Sequence, residues 1–116
     1  IVTYCRKRYA EDKLVVYGED SLSVCHFEDK PPKKIPRESM LNFLEDELGL
    51  KIERARTEII PTTLGDELSE VLDVDKNKIF LLLKQVHYTD KGQPLVFSLD
   101  YFNSEAFKFI INRRRI

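Results

Sequence analysis

Two segments of the chain repeat one pattern of residues, and this repeat limits the folds that the chain can adopt. Residues 1–17 and residues 79–98 each begin with an apolar strand that runs through polar residues to a tyrosine, Tyr9 or Tyr88. In each segment an acidic turn follows, and a second strand opens with Leu-Val. Apolar, β-branched runs on both sides of a short polar turn are typical of β-hairpins. The repeat therefore predicts two hairpins within an antiparallel sheet.

The first helix predicted between these hairpins has an apolar face. A loop rich in proline and lysine over residues 29–36 precedes it, and the helix begins between Pro36 and Ser39. Gly49 ends it, because glycine readily adopts the left-handed conformation found after a helix C-terminus. The apolar face consists of Met40, Leu41, Phe43, Leu44 and Leu48.

A strand and a second helix are predicted before the second hairpin. Residues 51–60 alternate side chains in the way that a strand does. Thr63 and Asp66 then match a helix capping box. The apolar face of this helix consists of Leu64, Leu68, Val71 and Leu72. Together these elements predict a mixed α+β fold.

Composition indicates one folded domain over residues 1–116. The chain is 42% apolar, too apolar for a disordered segment, and its formal net charge of -1 lacks the positive field of a nucleic-acid-binding domain. No apolar run reaches the ~20 residues that a membrane helix needs. Two cysteines, Cys5 and Cys25, are too few for a disulfide-rich secreted protein or a zinc site. We therefore expect a cytoplasmic protein with reduced thiols, with one Cys5–Cys25 bridge as the alternative.

The repeat also predicts what precedes the first hairpin. The second hairpin follows a strand and a helix, whereas the first begins abruptly at Ile1. A repeat unit of strand, helix and hairpin would lack its opening half in the first copy. We therefore expect that the first strand and helix lie upstream, in a longer protein. The alternative is a chance likeness between two hairpins.

Motifs along nearly the whole chain resemble, in order, the UTRA domains of HutC-type GntR transcriptional regulators. Residues 39–52 are similar to the family helix S-L-Y-x-x-L-E-E-x-L-G-x-x-I, and residues 71–74 to its L-x-V element. Residues 90–95 are similar to its D-G-x-P-V turn. Residues 98–115 resemble its closing motif Y-x-x-D-x-Y-x-F-x-x-x-R-x-R. Each motif is short, and their shared order carries the resemblance.

The resemblance implies a fold and partners. The fold is chorismate-lyase-like, an antiparallel sheet with helices on one side. The implied partners are a second copy in a homodimer and a small-molecule effector held in a pocket. The resemblance also implies that DNA is bound only through a winged helix-turn-helix domain upstream of this chain. We expect no cofactor.

Arg6 and Arg8 are the leading candidates for contact with an anionic effector. They are two residues apart on a predicted strand, so their side chains project from the same face. Many sugar-phosphate-sensing members of the family carry Arg-x-Arg at this place. Ser39 is similar to the family serine that begins the sensing helix, where hydroxyl and amide groups suit phosphate or carboxylate oxygens. The alternatives are a solvated strand edge and an ordinary helix-start serine.

The last predicted strand supplies a second set of candidates. It places Val96, Ser98, Asp100 and Phe102 on one face. In family members that sense amino-sugar phosphates, the positions matching Val96 and Phe102 hold a glutamate and a tyrosine. Leu41 likewise stands where those members often have tyrosine. The resemblance therefore implies ligand contacts at Val96, Ser98 and Phe102, with an effector whose body is less polar than an amino sugar.

Three functions remain open at the level of the sequence. The leading one is an effector-sensing and dimerisation domain that binds a phosphorylated or carboxylated metabolite and is not an enzyme. The second is a chorismate-lyase-like enzyme, although no activated nucleophile is evident. The third is a dimerisation domain with a vestigial pocket, because several polar contacts of the family are missing. His26 and His87 lack partners at metal-ligand spacing, so we expect no metal site.

Overall fold

The computed structural model of the chain describes residues 1–27, 30–35 and 40–115. Its elements are, in chain order, β1 (Val2–Ala10), β2 (Lys13–Leu22), a 3-10 helix (Val24–His26), α1 (Met40–Leu48), β3 (Ile52–Thr62), α2 (Asp66–Val71), β4 (Phe80–Thr89) and β5 (Pro94–Asn103). The strands form one antiparallel sheet in the order β1-β2-β5-β4-β3. The predicted antiparallel α+β architecture is confirmed. The predicted start of α1, at residues 36–39, lies outside the described residues.

Both hairpins share one irregularity. The first has its tight turn at residues 11–12, where both φ angles are positive, as a type I′ hairpin turn requires. The β1–β2 register then shifts between Arg8 and Tyr9, and the β4–β5 register shifts between His87 and Tyr88. Each shift comes directly before the tyrosine that the sequence repeat aligns. The likeness of the two hairpins therefore extends to their bulges.

The two hairpins meet at the centre of the sheet through β2 and β5. Gly18 lies opposite Asp100, and Asp20 lies opposite Ser98. Exchanging the two hairpins places Gly18 on Ser98 and Asp20 on Asp100. An approximate two-fold axis therefore lies between the two pairs. On the outer side β3 pairs with β4, whereas β1 is an edge strand among the described residues.

Helix α1 covers one end of one face of the sheet, which we call the α1 face. Met40 and Leu44 point from the helix onto the strands and are buried there. Leu22 of β2 and Val96 of β5 lie on this same side, because alternate residues of a strand share a face. The core at this end consists of Tyr4, Leu22, Ile35, Met40, Leu44, Leu95 and Val96.

Helix α2 packs against the opposite face. Tyr17 and Leu22 are an odd number of residues apart in β2, so their side chains point to opposite sides of the sheet. Leu68 of α2 lies against a second core, which consists of Leu14, Tyr17, Leu64, Leu72 and Phe80. The helices therefore lie on both faces of the antiparallel sheet, and not on one side as the resemblance implied. Each helix covers apolar strand residues at a different end.

Helix α2 begins later than the sequence predicts. Its N-cap is Gly65, with a φ of 84° and no side-chain capping bond, so the predicted capping box at Thr63 and Asp66 is wrong. Glycine suits this position because a positive φ strains a residue that has a Cβ. Val71 is exposed and does not belong to the apolar face that the sequence predicted.

Replacing Leu44 by alanine tests how far the fold depends on the docking of α1. Leu44 is 0% exposed, whereas Leu41 on the same helix is 41% exposed. We expect Leu44→Ala to lower the free energy of unfolding by about 2–5 kcal/mol, since it leaves a cavity in the core. Leu41→Ala should lower it by less than about 1 kcal/mol. Urea unfolding measures both values, and equal losses would contradict the packing described for α1.

Candidate functional site

The α1 face carries most of the residues predicted from the sequence to bind a ligand. Arg6 and Arg8 lie on this face of β1, and Ser98 and Phe102 lie on this face of β5. The strand register therefore brings both candidate sets to one side of the sheet. Whether they bind a ligand stays a prediction.

The guanidinium group of Arg6 lies between two buried carboxylates. Its Nη1 donates to Asp20, and its Nη2 lies 3.4 Å from Asp100 Oδ1. Asp20 and Asp100 are only 4% and 5% exposed. The hydroxyl of Ser98 donates to Asp20 Oδ1 at 2.6 Å. We call these four residues the Arg6 cluster, in which ion pairs and hydrogen bonds offset the cost of burying charge.

Gly18 makes the contact between Arg6 and Asp100 possible. It lies between them in the strand register, opposite Arg6 on one side and opposite Asp100 on the other. A Cβ at this position would lie 2.6 Å from Asp100 Oδ1 and 3.3 Å from Arg6 Nη2. The guanidinium group therefore reaches across β2 because residue 18 has no side chain.

Arg8 has a different environment from Arg6. It is exposed, and its guanidinium carbon lies 5.9 Å from the centre of the Phe107 ring. Phe107 and Phe109 meet the ring of Phe102 edge-on, with ring centres 5.0 and 5.3 Å apart. Within the described part of the chain, Arg8 makes no ion pair. Its charge is therefore open to a ligand, beside an aromatic wall.

Two further predicted residues do not join this arrangement. Val96 is buried in the core beneath α1, because Met40 and Leu44 pack at the same end of the sheet. Its ligand contact stays a prediction. Ser39 lies outside the described residues, so its predicted role is also untested.

A groove of about 470 Å³ runs along the outer edge of β1. The loop before α1 borders it, and Tyr4 fixes that loop by donating its hydroxyl proton to the carbonyl of Pro32 at 2.6 Å. The groove is lined by Thr3, Tyr4, Cys5, Arg6, Lys33, Lys34 and Ile35. Sequence reasoning placed the two lysines only in the loop before α1. The structure instead places two further positive charges close to Arg6.

Sequence reasoning also missed the partner residues of Arg6. Asp20 was not among the candidates, and Asp100 was a candidate of the last strand whose contact with Arg6 was not predicted. A signal was present, because Asp20 and Asp100 occupy equivalent positions in the two hairpins. An aspartate at matching positions of two strands that also carry apolar residues indicates a buried polar contact.

His87 lies on the same face and adds no positive charge to it at neutral pH. Burial lowers the pKa of His87, and the nearby carboxylates of Asp20 and Asp100 only partly oppose this effect. Its Nδ1 is buried without a hydrogen-bond partner in the residues that the structure describes. The imidazole is therefore neutral around pH 7, and among the described strand residues the cations of this face are Arg6 and Arg8.

The described residues contain neither a cluster suited to a metal ion nor a helix suited to a membrane. In residues 1–27, 30–35 and 40–115, no group of three or more His, Cys, Asp or Glu side chains could hold a metal ion. Over the same part of the chain, no helix is long and apolar enough to cross a membrane.

Comparison with known proteins identifies the family to which this chain belongs. The family model described as the UTRA domain matches residues 1–108. The chain belongs to the UTRA domain family. This confirms the family that the sequence motifs indicated.

A curated relative of this UTRA domain is the mannosyl-D-glycerate transport/metabolism system repressor MngR of Escherichia coli K12. The two are 26% identical over 110 residues, which cover 95% of this chain and 45% of the repressor. The UTRA chain therefore spans about half the length of the curated relative that it matches.

Solved structures share the fold of the UTRA chain. A GntR-family transcriptional regulator from Enterococcus faecalis has a TM-score of 0.77 at 21% identity, covering 94% of this chain and 78% of that one. The effector-binding domain of the Bacillus subtilis trehalose repressor TreR has a TM-score of 0.77 at 23% identity, covering 96% and 76%. At these identities the likeness establishes the fold.

Replacing each arginine of this UTRA domain by alanine shows how much each one contributes to the stability of the fold. Removing Arg6 leaves Asp20 and Asp100 buried without its charge, so Arg6→Ala should lower the free energy of unfolding by about 3 kcal/mol. Arg8→Ala removes an exposed side chain and should lower it by less than about 1 kcal/mol. Chemical unfolding at neutral pH measures the difference. A loss on Arg8→Ala as large as that on Arg6→Ala would contradict the contacts described.

Proposed function

We propose that this UTRA chain is the effector-sensing and dimerisation domain of a bacterial GntR-family transcriptional regulator that works in the cytoplasm. The observation that carries the proposal is the UTRA match over residues 1–108. The names of two similar proteins support it, since one is a repressor and the other is the effector-binding domain of a repressor. These similar proteins are regulators, and the proposed domain is accordingly not an enzyme.

The proposed effector is a small anionic metabolite bound on the α1 face. Arg8 supplies the accessible charge, because Arg6 is already paired with Asp20 and Asp100. Phe102 and the rings that pack on it supply an apolar surface for the body of the effector. In this proposal Ser39 and Ser98 contribute hydroxyl groups, whereas Val96 lies in the core beneath α1.

The proposed regulation is a shift between two arrangements of the full protein. An effector that binds one arrangement more tightly raises its population, and the spacing of attached DNA-binding domains changes with it. The winged helix-turn-helix domain and the first strand and helix belong upstream of Ile1 in this proposal. The open edge of β1 suits such a strand, since β3 fills the equivalent place beside β4.

A vestigial pocket is the competing proposal, and the Arg6 cluster is the observation that favours it. An arginine that serves two buried aspartates is accounted for by the stability of the sheet alone. Ligand binding that depends on Arg8 distinguishes the two proposals, because a vestigial pocket binds no ligand through that side chain.

Calorimetric titration with phosphorylated and carboxylated metabolites tests the sensing function. We expect Arg8→Ala to weaken the binding of a ligand by roughly ten- to a hundredfold, since a charge-assisted contact is lost. Arg8→Lys should fall between wild type and Arg8→Ala, because an ammonium group keeps the charge but lacks the planar fork. Lys7→Ala is the control, because Lys7 is the neighbouring exposed cation on the opposite face.

The outcomes of this titration distinguish the two proposals. Binding that is unchanged in Arg8→Ala would place the ligand elsewhere and contradict the proposed site. A panel in which no metabolite binds the wild-type protein would favour the vestigial pocket.

Sedimentation equilibrium tests the proposed dimer. Phe97 lies half exposed on the face opposite α1, beside a small apolar cavity lined in part by Pro94 and Leu95. We propose that this surface packs against a second copy and expect Phe97→Asp to shift the protein towards monomer. Ile59→Asp, at a similarly exposed position on β3, should leave the dimer intact. A wild-type protein that sediments only as monomer would contradict the dimer.

A further inference from the structure

The segment that follows β5 is fixed at its start by two anchors. Asn103 is 2% exposed, and its amide group donates to the carbonyl of Leu14 at 3.0 Å while its Oδ1 accepts from the backbone N–H of Glu105. The carboxylate of Glu105 pairs with Lys13, which begins β2, and with Lys78, which precedes β4. Because both anchors lie at the end of β5, the chain leaves the sheet in a defined direction.

Phe107 lies further along this segment and spans one strand of the α1 face. Its ring meets the ring of Phe102 on β5 edge-on, and the guanidinium carbon of Arg8 on β1 lies over it, 5.9 Å from its centre. In the strand register Val16 of β2 lies between Arg8 and Phe102, and Val16 is 1% exposed. One ring therefore joins the edge strand β1 to β5 across β2.

The contact with Phe107 restrains Arg8 and leaves its hydrogen-bond donors free. A carboxylate partner would occupy N–H groups of the guanidinium group, whereas an aromatic ring contacts its flat face. No acidic side chain in the described part of the chain pairs with Arg8. The N–H groups of Arg8 are therefore available to an anion, in the planar arrangement that matches two oxygen atoms.

Restraint of Arg8 before a ligand arrives raises the affinity for that ligand. A long side chain loses rotamer freedom when it binds, and this loss opposes binding. A side chain that a ring already holds has less freedom to lose. Arg8 is exposed on β1, an edge strand among the described residues, so this restraint has to come from a contact outside the strand itself.

We propose that Phe107 is a positioning residue for effector recognition, whose ring holds the guanidinium group of Arg8 ready for the anionic group of the effector. Phe109 meets Phe102 in the same edge-on way, but the ring beneath Arg8 is that of Phe107. Phe107 therefore acts through Arg8, whereas Phe109 contributes apolar surface alone. The inference rests on the effector-sensing function proposed above.

NMR relaxation of the Arg8 side-chain nitrogen tests the restraint without any ligand. It gives the order parameter of the Nε–H bond, which reports motion on the ps–ns timescale. In the wild-type protein we expect Arg8 to be more ordered than Arg114, which is exposed near the end of the chain. Phe107→Leu should remove this order, and Phe109→Leu should preserve it. A wild-type Arg8 as mobile as Arg114 would overturn the proposal, and so would equal effects of the two substitutions.

Double-mutant cycles with Arg8→Ala test the consequence for binding. Phenyl phosphate and phenylacetate are the probes, because each joins an anionic group to an apolar ring, and calorimetry gives their affinities. We expect Phe107→Leu to weaken binding roughly three- to tenfold when Arg8 is present, and by less than about twofold when Arg8 is alanine. Phe107→Tyr keeps the ring and should bind within about twofold of wild type. Phe109→Leu should weaken binding by the same factor in both backgrounds, because an apolar contact does not depend on Arg8.

The possible outcomes separate this inference from the sensing function. Binding that depends on Arg8 but is weakened equally by Phe107→Leu in both backgrounds overturns the role of Phe107 and leaves the sensing function standing. An affinity of Phe107→Tyr as low as that of Phe107→Leu overturns it in the same way. A wild-type protein that binds neither probe counts against the sensing function, and the role of Phe107 in recognition falls with it.

Discussion

The ion pairs of Arg6 join the two halves of the sheet. Arg6 belongs to the first hairpin and Asp100 to the second, and the guanidinium group crosses β2 at Gly18 to reach it. Buried carboxylates need partners, so the register of β1, β2 and β5 has to bring these groups together. A slip of one residue along β1 would turn Arg6 to the opposite face and remove its charge from Asp20 and Asp100.

The repeat in the sequence becomes an approximate two-fold axis in the sheet, and Arg6 breaks that symmetry. Asp20 and Asp100 occupy equivalent positions on β2 and β5. Counted back from the two aligned tyrosines, the residue equivalent to Arg6 in the second hairpin is Gln85. One arginine therefore serves two aspartates. Among the described strand residues, the positive charges of the α1 face, Arg6 and Arg8, both lie on the first hairpin.

Local sequence patterns predict the local structure of this chain, and the contacts between distant segments lie beyond them. Alternation and helical spacing predict both hairpins, the body of α1 and strand β3 to within a few residues. The pairing of β2 with β5 joins segments far apart in sequence, and no spacing identifies which strands meet. The contact between Arg6 and Asp100 depends on this pairing, whereas Asp20 was missed because the first hairpin was predicted only as far as residue 17. The shared face of Arg6 and Arg8 could be predicted, because it depends only on strand alternation.

In the proposed sensor, Arg6 stabilises the sheet and Arg8 contacts the effector. A ligand that binds Arg6 has to replace the contacts that Arg6 makes with two buried carboxylates. A ligand that binds Arg8 leaves the Arg6 cluster intact. A ligand shifts an equilibrium only by contacts that differ between the two states. If the cluster is the same in both states, the difference has to arise around Arg8. Phe107 contacts both Arg8 and Phe102 there, so the segment after β5 is the part of the fold best placed to respond.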